Sequence, residues 1–137
     1  MVLSVLSSAS IVFFITTFLR SVNAFATVST ILGTLIGFLT GIYIPIGQLP
    51  EGVQSVVKVF PVSHAGALFR QVMMERPLDQ VFAGAPAAMA ADFKVSMGVV
   101  YRFGDGLTTP LFSIIVLAVT AAVFYTLATL SVSRKRR

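Results

Sequence analysis

Residues 37–70 constrain the fold of this chain most strongly, because an apolar run ends there without giving way to a soluble sequence. Pro45 and Pro50 lack a backbone N–H and are not tolerated inside a helix, so the apolar run 24–44 has to end before them. Beyond these prolines, apolar residues recur at helical spacing on both sides of Pro61: Val53, Val56, Val57 and Phe60, then Ala65, Leu68, Phe69, Val72 and Met73. The segment predicts a helical hairpin with one apolar side.

The charges of this hairpin predict where it lies. Lys58 or Arg70 at the centre of a bilayer would each cost about 2.5 to 3.5 kcal/mol, so we expect the hairpin to dip in at an interface or to line a wet cavity. The second helix is expected over Ser63–Glu75, with Ser63 as its N-cap. His64 is the only histidine and the chain has no cysteine, so a capping or interfacial hydrogen bond is favoured over a proton relay or a metal ligand.

The composition of the chain indicates that most of it lies in a lipid bilayer. Hydrophobic residues make up 56% and charged residues 11% of 137 residues, and the mean hydropathy is +0.93. These values predict an all-α integral membrane protein of the cell membrane. The net charge of +5 does not indicate nucleic acid, because four of the ten basic residues follow an apolar run at the C-terminus as Arg134, Lys135, Arg136 and Arg137.

Three spans are predicted, over residues 2–19, 24–44 and 111–132. Residues 45–110 form the outer hairpin and loop and hold every acidic residue of the chain. Arg20 and the basic tail 133–137 flank spans directly, and therefore we expect them on the cytoplasmic side. Within the long loop, a substrate site made by charged residues is an alternative to ordinary solvated surface, and these residues are Asp92, Lys94, Arg102 and Asp105.

Gly33, Gly37 and Gly41 repeat at intervals of four residues in the second predicted span. This small-x-x-x-small pattern is typical of a face where another helix approaches closely, and composition alone is the competing explanation.

The order of these features resembles the C-terminal half of a type-2 ABC transporter permease. The similarity extends from about residue 24 to the tail. It depends on the glycine-containing span GFLTGIYIPIGQLP, which contains Pro45 and Pro50, and on Phe60-Pro61 followed by Ser63, His64 and Leu68-Phe69-Arg70. The resemblance implies the fourth, fifth and sixth spans of such a permease, with two short re-entrant helices on the outer side between the last two. Pro45, Pro50 and Pro61 are then the breaks of a possible outer gate.

The resemblance also implies partners. An ABC ATPase subunit would supply the energy, and the remaining permease half or a second permease copy would complete the pathway in the lipid bilayer. No Gly-x-x-x-x-Gly-Lys phosphate loop, catalytic constellation or cofactor motif is present, so we expect no enzyme activity from this chain. A small non-transporting assembly or regulatory subunit is the alternative function. The transported substrate is not predicted.

Overall fold

The computed structural model describes residues 1–104 and 106–135. Asp105 and the last two residues of the predicted basic tail lie outside the described residues. The described part is mostly helical, with one short 3-10 helix and two short antiparallel strands. The elements are α1 (Val2–Thr16), α2 (Val22–Leu39), the 3-10 helix (Ile46–Gln48), α3 (Glu51–Val59), α4 (Pro61–Val81), α5 (Ala87–Ser96), β1 (Arg102–Phe103), β2 (Gly106–Leu107) and α6 (Pro110–Lys135).

Helix α1 is shorter than the first predicted span. It has 15 residues, or about 22 Å of helix, against the roughly 30 Å of a hydrocarbon layer. The hydroxyls of Thr16 and Thr17 donate to carbonyls three residues back, at 2.7 Å each, and the chain leaves the helix there. Two helices are long and apolar enough to cross a membrane, Val22–Leu39 and Pro110–Arg134. The described residues thus support two spans instead of the three predicted.

Helix α2 ends five residues before the predicted end of its span. Its start is capped by Ser21, whose hydroxyl accepts from the N–H of Ala24 at 3.1 Å. At the other end Gly41 has φ +71, the N–H of Gly41 donates to Phe38 and the N–H of Ile42 donates to Gly37. This pair of bonds is the Schellman motif, which needs a residue with positive φ, and glycine adopts that conformation without a Cβ penalty.

Helices α3 and α4 occupy the segment predicted as a hairpin, which we call the hairpin, and a single extended residue separates them. Phe60 has φ −74 and ψ 119, the conformation favoured before a proline, and Pro61 then occupies the first position of α4. The predicted second helix is too short, because α4 has 21 residues and continues through Pro77. The buried side chain of Leu78 holds the turn that follows this proline.

Helices α1 and α6 are packed most closely and run parallel. Met1 lines a cavity beside α4, and Ser113 near the start of α6 also contacts α4. Further along, the rings of Phe14 and Phe124 meet at 5.5 Å. The beginnings of α1 and α6 therefore lie at the hairpin end of the molecule, and their other ends lie away from it.

Candidate functional site

The hairpin meets the spans at a buried polar cluster, which we call the hairpin junction. It consists of Ser63, His64 and Arg70 of α4, Tyr101 of the loop, Ser113 of α6, and the ends of α2 and α5 at Thr40 and Gly98. Three of the predicted site residues are thus brought together. Tyr101 and Ser113 were not predicted as site residues, and the structure shows that they belong to the cluster.

Ser63 ties the hairpin to the end of α2. Its side chain is fully buried, and its hydroxyl donates to the carbonyl of Leu39 at 2.8 Å. The predicted N-cap role of Ser63 is wrong, because α4 begins two residues earlier at Pro61 and Phe60 precedes it as the cap. Ser63 is the third residue of α4, and its hydroxyl bonds to another element instead of capping its own helix.

His64 joins α3 to α6 through both ring nitrogens. Nε2 lies 2.9 Å from the carbonyl oxygen of Lys58, and since a carbonyl only accepts, Nε2 carries the proton. Nδ1 then accepts from the hydroxyl of Ser113 at 3.1 Å. The ring is 1% exposed, and this burial lowers the pKa of His64, while the bond to the Lys58 carbonyl opposes the shift. His64 is neutral in this arrangement.

Tyr101 closes the cluster from the loop side. It is 2% exposed, its hydroxyl donates to the carbonyl of Ser63 at 3.0 Å, and its ring meets His64 edge-on at 5.2 Å. Burial raises the pKa of Tyr101 to about 12, although the positive charge of Arg70 and the bond to Ser63 lower it in part. The phenol therefore remains a hydrogen-bond donor. Thr108 fixes the position of the Tyr101 backbone through two bonds of 2.8 Å: its side-chain hydroxyl accepts from the N–H of Tyr101, and its own N–H donates to the Tyr101 carbonyl.

Arg70 joins the C-termini of two helices. Its Nη2 donates to the carbonyl of Thr40, the cap of α2, and its Nη1 donates to the carbonyl of Gly98, just after α5, at 3.4 Å. Each helix C-terminus carries about half a negative charge from the aligned peptide dipoles. The guanidinium is thus compensated by backbone carbonyls, and no carboxylate pairs with it among the described residues.

The two helix ends that Arg70 bridges are built alike. Helix α5 also ends in a Schellman motif, with Gly98 at φ +68 and bonds from Gly98 and Val99 back to Val95 and Lys94. A Cβ at Gly41 would lie 2.8 Å from Ile46 Cγ1, and a Cβ at Gly98 would overlap Ile46 Cδ1. Ile46, which is 4% exposed, fills the space between the two glycines, so a side chain at either position would be strained both by its positive φ and by contact with Ile46.

The three glycines predicted to form one packing face do not share a helical face in this chain. Gly41 lies beyond the end of α2, and a Cβ at Gly37 would overlap the ring of Tyr43. Gly33 has nothing within 4 Å of where its Cβ would be. It lines an α1–α2 cleft with a volume of about 220 Å³. A packing role toward another chain stays a prediction for Gly33 and Gly37.

The prolines predicted as hairpin breaks lie at boundaries between elements. Pro45 precedes the 3-10 helix, Pro50 precedes α3, and Pro61 opens α4. Pro45 and Pro50 both have φ near −55 and extended ψ, which turns the chain from α2 toward the hairpin. Their gating role stays a prediction.

The charged residues of the loop separate into two groups. Asp92 and Arg102 form an exposed salt bridge of 2.9 Å, as expected for solvated surface. Lys94 lies elsewhere, in a cleft beside α4, and Asp105 is outside the described residues. Asp92, Arg102 and Lys94 therefore do not form one site.

A large apolar cavity adjoins the hairpin junction. It has a volume of about 780 Å³, within the range of small-molecule sites. Its walls come from the start of α1, the end of α2 and one side of α4, with Ser4, Ile36, Gly66 and Phe69 among the lining residues, and Arg70 is its charged group.

Comparisons with known proteins agree with this membrane architecture. The profile of the family described as ABC-2 type transporter matches residues 1–74. Nodulation protein J of Rhizobium meliloti (strain 1021) is 32% identical over 76 residues, which cover 56% of this chain and 29% of that protein. The aligned part thus spans less than a third of the relative's length. No solved structure matches the chain.

The matched region covers only part of the hairpin junction. It includes α1, α2, α3 and most of α4, and with them Ser63, His64 and Arg70. Tyr101 and Ser113 lie beyond it. A profile match over more than half of the chain, together with two helices that qualify as membrane spans, shows that this protein belongs to the ABC-2 type transporter family of membrane permeases.

Proposed function

We propose that this chain contributes to the permease of an ABC exporter, as the part that corresponds to its C-terminal half. It lines a section of the translocation pathway, and a separate ATPase subunit supplies the energy. The observation that carries this proposal is the family match over residues 1–74, which covers α1, α2, α3 and most of α4. The adjoining cavity of about 780 Å³ supports it, because its apolar walls and one guanidinium suit an amphipathic solute.

The proposed topology puts the hairpin outside and the C-terminus in the cytoplasm. The parallel arrangement of α1 and α6 supports it, because Arg20 and the basic end of α6 then lie away from the hairpin, where an anionic inner leaflet attracts them. In this proposal α1 enters the membrane beside α6 from the outer side. Single cysteines at Asp79 and Ser133 test the orientation, since the chain has no native cysteine. An impermeant thiol reagent should label the first on intact cells and the second only after permeabilisation, and the reverse pattern overturns the orientation.

The ATPase partnership is tested by purifying the full native chain with an affinity tag in a mild detergent. We expect an ATP-binding-cassette subunit to co-purify in a fixed ratio, identified by peptides that contain its Gly-x-x-x-x-Gly-Lys loop. ATP hydrolysis by the complex should be lost when the lysine of that loop is replaced. Two results would contradict the proposal. One is that the intact chain purifies without such a subunit, and the other is that the subunit hydrolyses ATP equally well alone and in the complex.

The outer gate is proposed at the break between α3 and α4. Phe60 is extended only because Pro61 follows it, so Pro61→Ala should let the two helices merge into a longer rod and impair export without preventing membrane insertion. Helix continuity is measured by the distance between spin labels at Gln54 and Val72. A continuous helix combined with normal export would remove the gating role.

A further inference from the structure

A second cleft, separate from the hairpin junction, lies between α4, α5 and the start of α6. It has a volume of about 470 Å³. Its walls combine apolar side chains with three polar groups, from Gln71, Glu75 and Lys94. It also includes Pro110 and Ile114, where the last candidate membrane span begins. In the proposed topology this is the level of the lipid headgroups.

The cleft presents one charge of each sign. Glu75 and Lys94 both line it, yet neither takes part in a salt bridge within the described residues. Two opposite charges that share a cleft without pairing leave room for a ligand between them. The ligand that complements them carries a cation and an anion of its own, with an apolar part for the surrounding side chains.

Gln71 adds a hydrogen-bond acceptor that lacks a donor. Its Nε2 donates to the carbonyl of Val99 at 2.7 Å, which fixes the orientation of the amide because that carbonyl can only accept. Its Oε1 is buried and has no hydrogen-bond partner within the described residues. A buried acceptor without a hydrogen bond lowers the stability of the folded state by about 1 to 3 kcal/mol. A small shift of the side chain toward the cleft would let a ligand N–H satisfy it.

We infer that this cleft binds the headgroup of a zwitterionic phospholipid of the phosphatidylethanolamine type. The primary ammonium lies between Glu75 and Gln71, and the phosphate lies at Lys94. The acyl chains follow the apolar wall from Val72 to Ile114. A primary ammonium is favoured over a quaternary one because only the former has N–H donors for the Gln71 oxygen. The inference rests on the proposed position of the hairpin at the outer membrane boundary, but lipid binding is measured without export, so the two proposals fail separately.

The test is native mass spectrometry of the purified full-length protein with lipids of matched chains: phosphatidylethanolamine, phosphatidylcholine and phosphatidylglycerol. We expect the wild type to retain phosphatidylethanolamine about tenfold more than the other two. Glu75→Gln should abolish the preference over phosphatidylglycerol, and Lys94→Gln should weaken binding of all three. Glu51→Gln, on the exposed start of α3, is the matched control and should change nothing.

Several results would overturn the inference. Equal retention of the three lipids by the wild type is one, and an unchanged preference in Glu75→Gln with a wild-type circular dichroism spectrum is another. Glycerophosphoethanolamine has the same headgroup without acyl chains. If it displaces phosphatidylethanolamine at equal concentration, the cleft recognises a soluble zwitterion, and the lipid assignment is wrong.

Discussion

Helix α2 and the first turns of α4 differ in how much of each the rest of the protein buries. In α2, an 18-residue helix, only Gly37 is buried. The first turns of α4 bury Ser63, His64, Ala65 and Ala67. A span surrounded by lipid needs no protein around it, because acyl chains are as apolar as its side chains. The difference shows that the hydrogen bonds of the hairpin junction join α4 to the end of α2, whereas the other described elements leave most of α2 uncovered.

The largest effect is expected for Gly98→Ala. The added Cβ would overlap Ile46 in a left-handed position of φ +68, at a cost of about 3 kcal/mol from strain and overpacking together. Gly84→Ala is the matched control, because Gly84 has φ +84 but nothing within 4 Å, so strain alone costs about 1 kcal/mol. Thermal unfolding followed by circular dichroism compares the two. Equal losses would show that the packing around Ile46 does not matter.

Apolar contacts should matter only where the protein, and not lipid, provides them. Val57 is fully buried, and Val57→Ala should cost about 2 kcal/mol. Val56 is 55% exposed and Leu35 of α2 is 47% exposed. Val56→Ala and Leu35→Ala should each stay within about 0.5 kcal/mol of wild type. The measurement is reversible unfolding in mixed micelles. If Leu35→Ala destabilises the protein as much as Val57→Ala, the contrast between α2 and α4 is wrong, because α2 would then need a partner helix.

Tyr101→Phe should cost about 1 kcal/mol, since it removes the hydrogen bond from the buried phenol to the Ser63 carbonyl, which keeps only its donor within α4. Tyr125→Phe removes a hydroxyl from a side chain that is 60% exposed and should be neutral. Hydrogen exchange at the start of α4 reports the local effect. If both substitutions leave exchange unchanged, the Tyr101 hydroxyl contributes nothing to the hairpin junction.

The smallest effect is a pH dependence from His64. Burial lowers its pKa in the folded state below the ordinary value of 6.5, so the unfolded chain binds a proton first as the pH falls. Stability should therefore decrease from pH 6.5 downward until the folded state also protonates. In His64→Gln the amide can replace both ring bonds but does not titrate, and this component should vanish. A wild type and variant with parallel stability profiles below pH 6.5 would refute the assignment.

The sequence predicted two helices with proline breaks between residues 45 and 81, because the effect of a proline is local. Pro45, Pro50 and Pro61 lie at element boundaries because a missing N–H acts locally. The second hairpin helix was expected to end at Glu75, but α4 continues through Pro77 to Val81, and Leu78 in this added turn is buried. The first predicted span is not supported: hydropathy measures the length of an apolar run, and helix α1 ends at Thr16, inside that run.

The hairpin junction was only half predictable. Ser63, His64 and Arg70 stand out as polar residues in an apolar hairpin, whereas Tyr101 and Ser113 lie 38 and 49 residues from their partners along the chain. No local pattern marks such a distant pair. The turn sequence between Phe103 and Gly106 was the available signal for Tyr101, because it brings Thr108 back onto the tyrosine backbone.

The contacts of Arg70 determine which substitutions homologous sequences can carry around it. Its acceptors are the main-chain carbonyls of Thr40 and Gly98, which every amino acid supplies. Homologues can therefore vary the side chain at position 40 without any compensating exchange at position 70. Correlated-substitution methods search for such exchanges and would miss this contact. We expect instead that Arg70, Gly41 and Gly98 are each invariant among homologues.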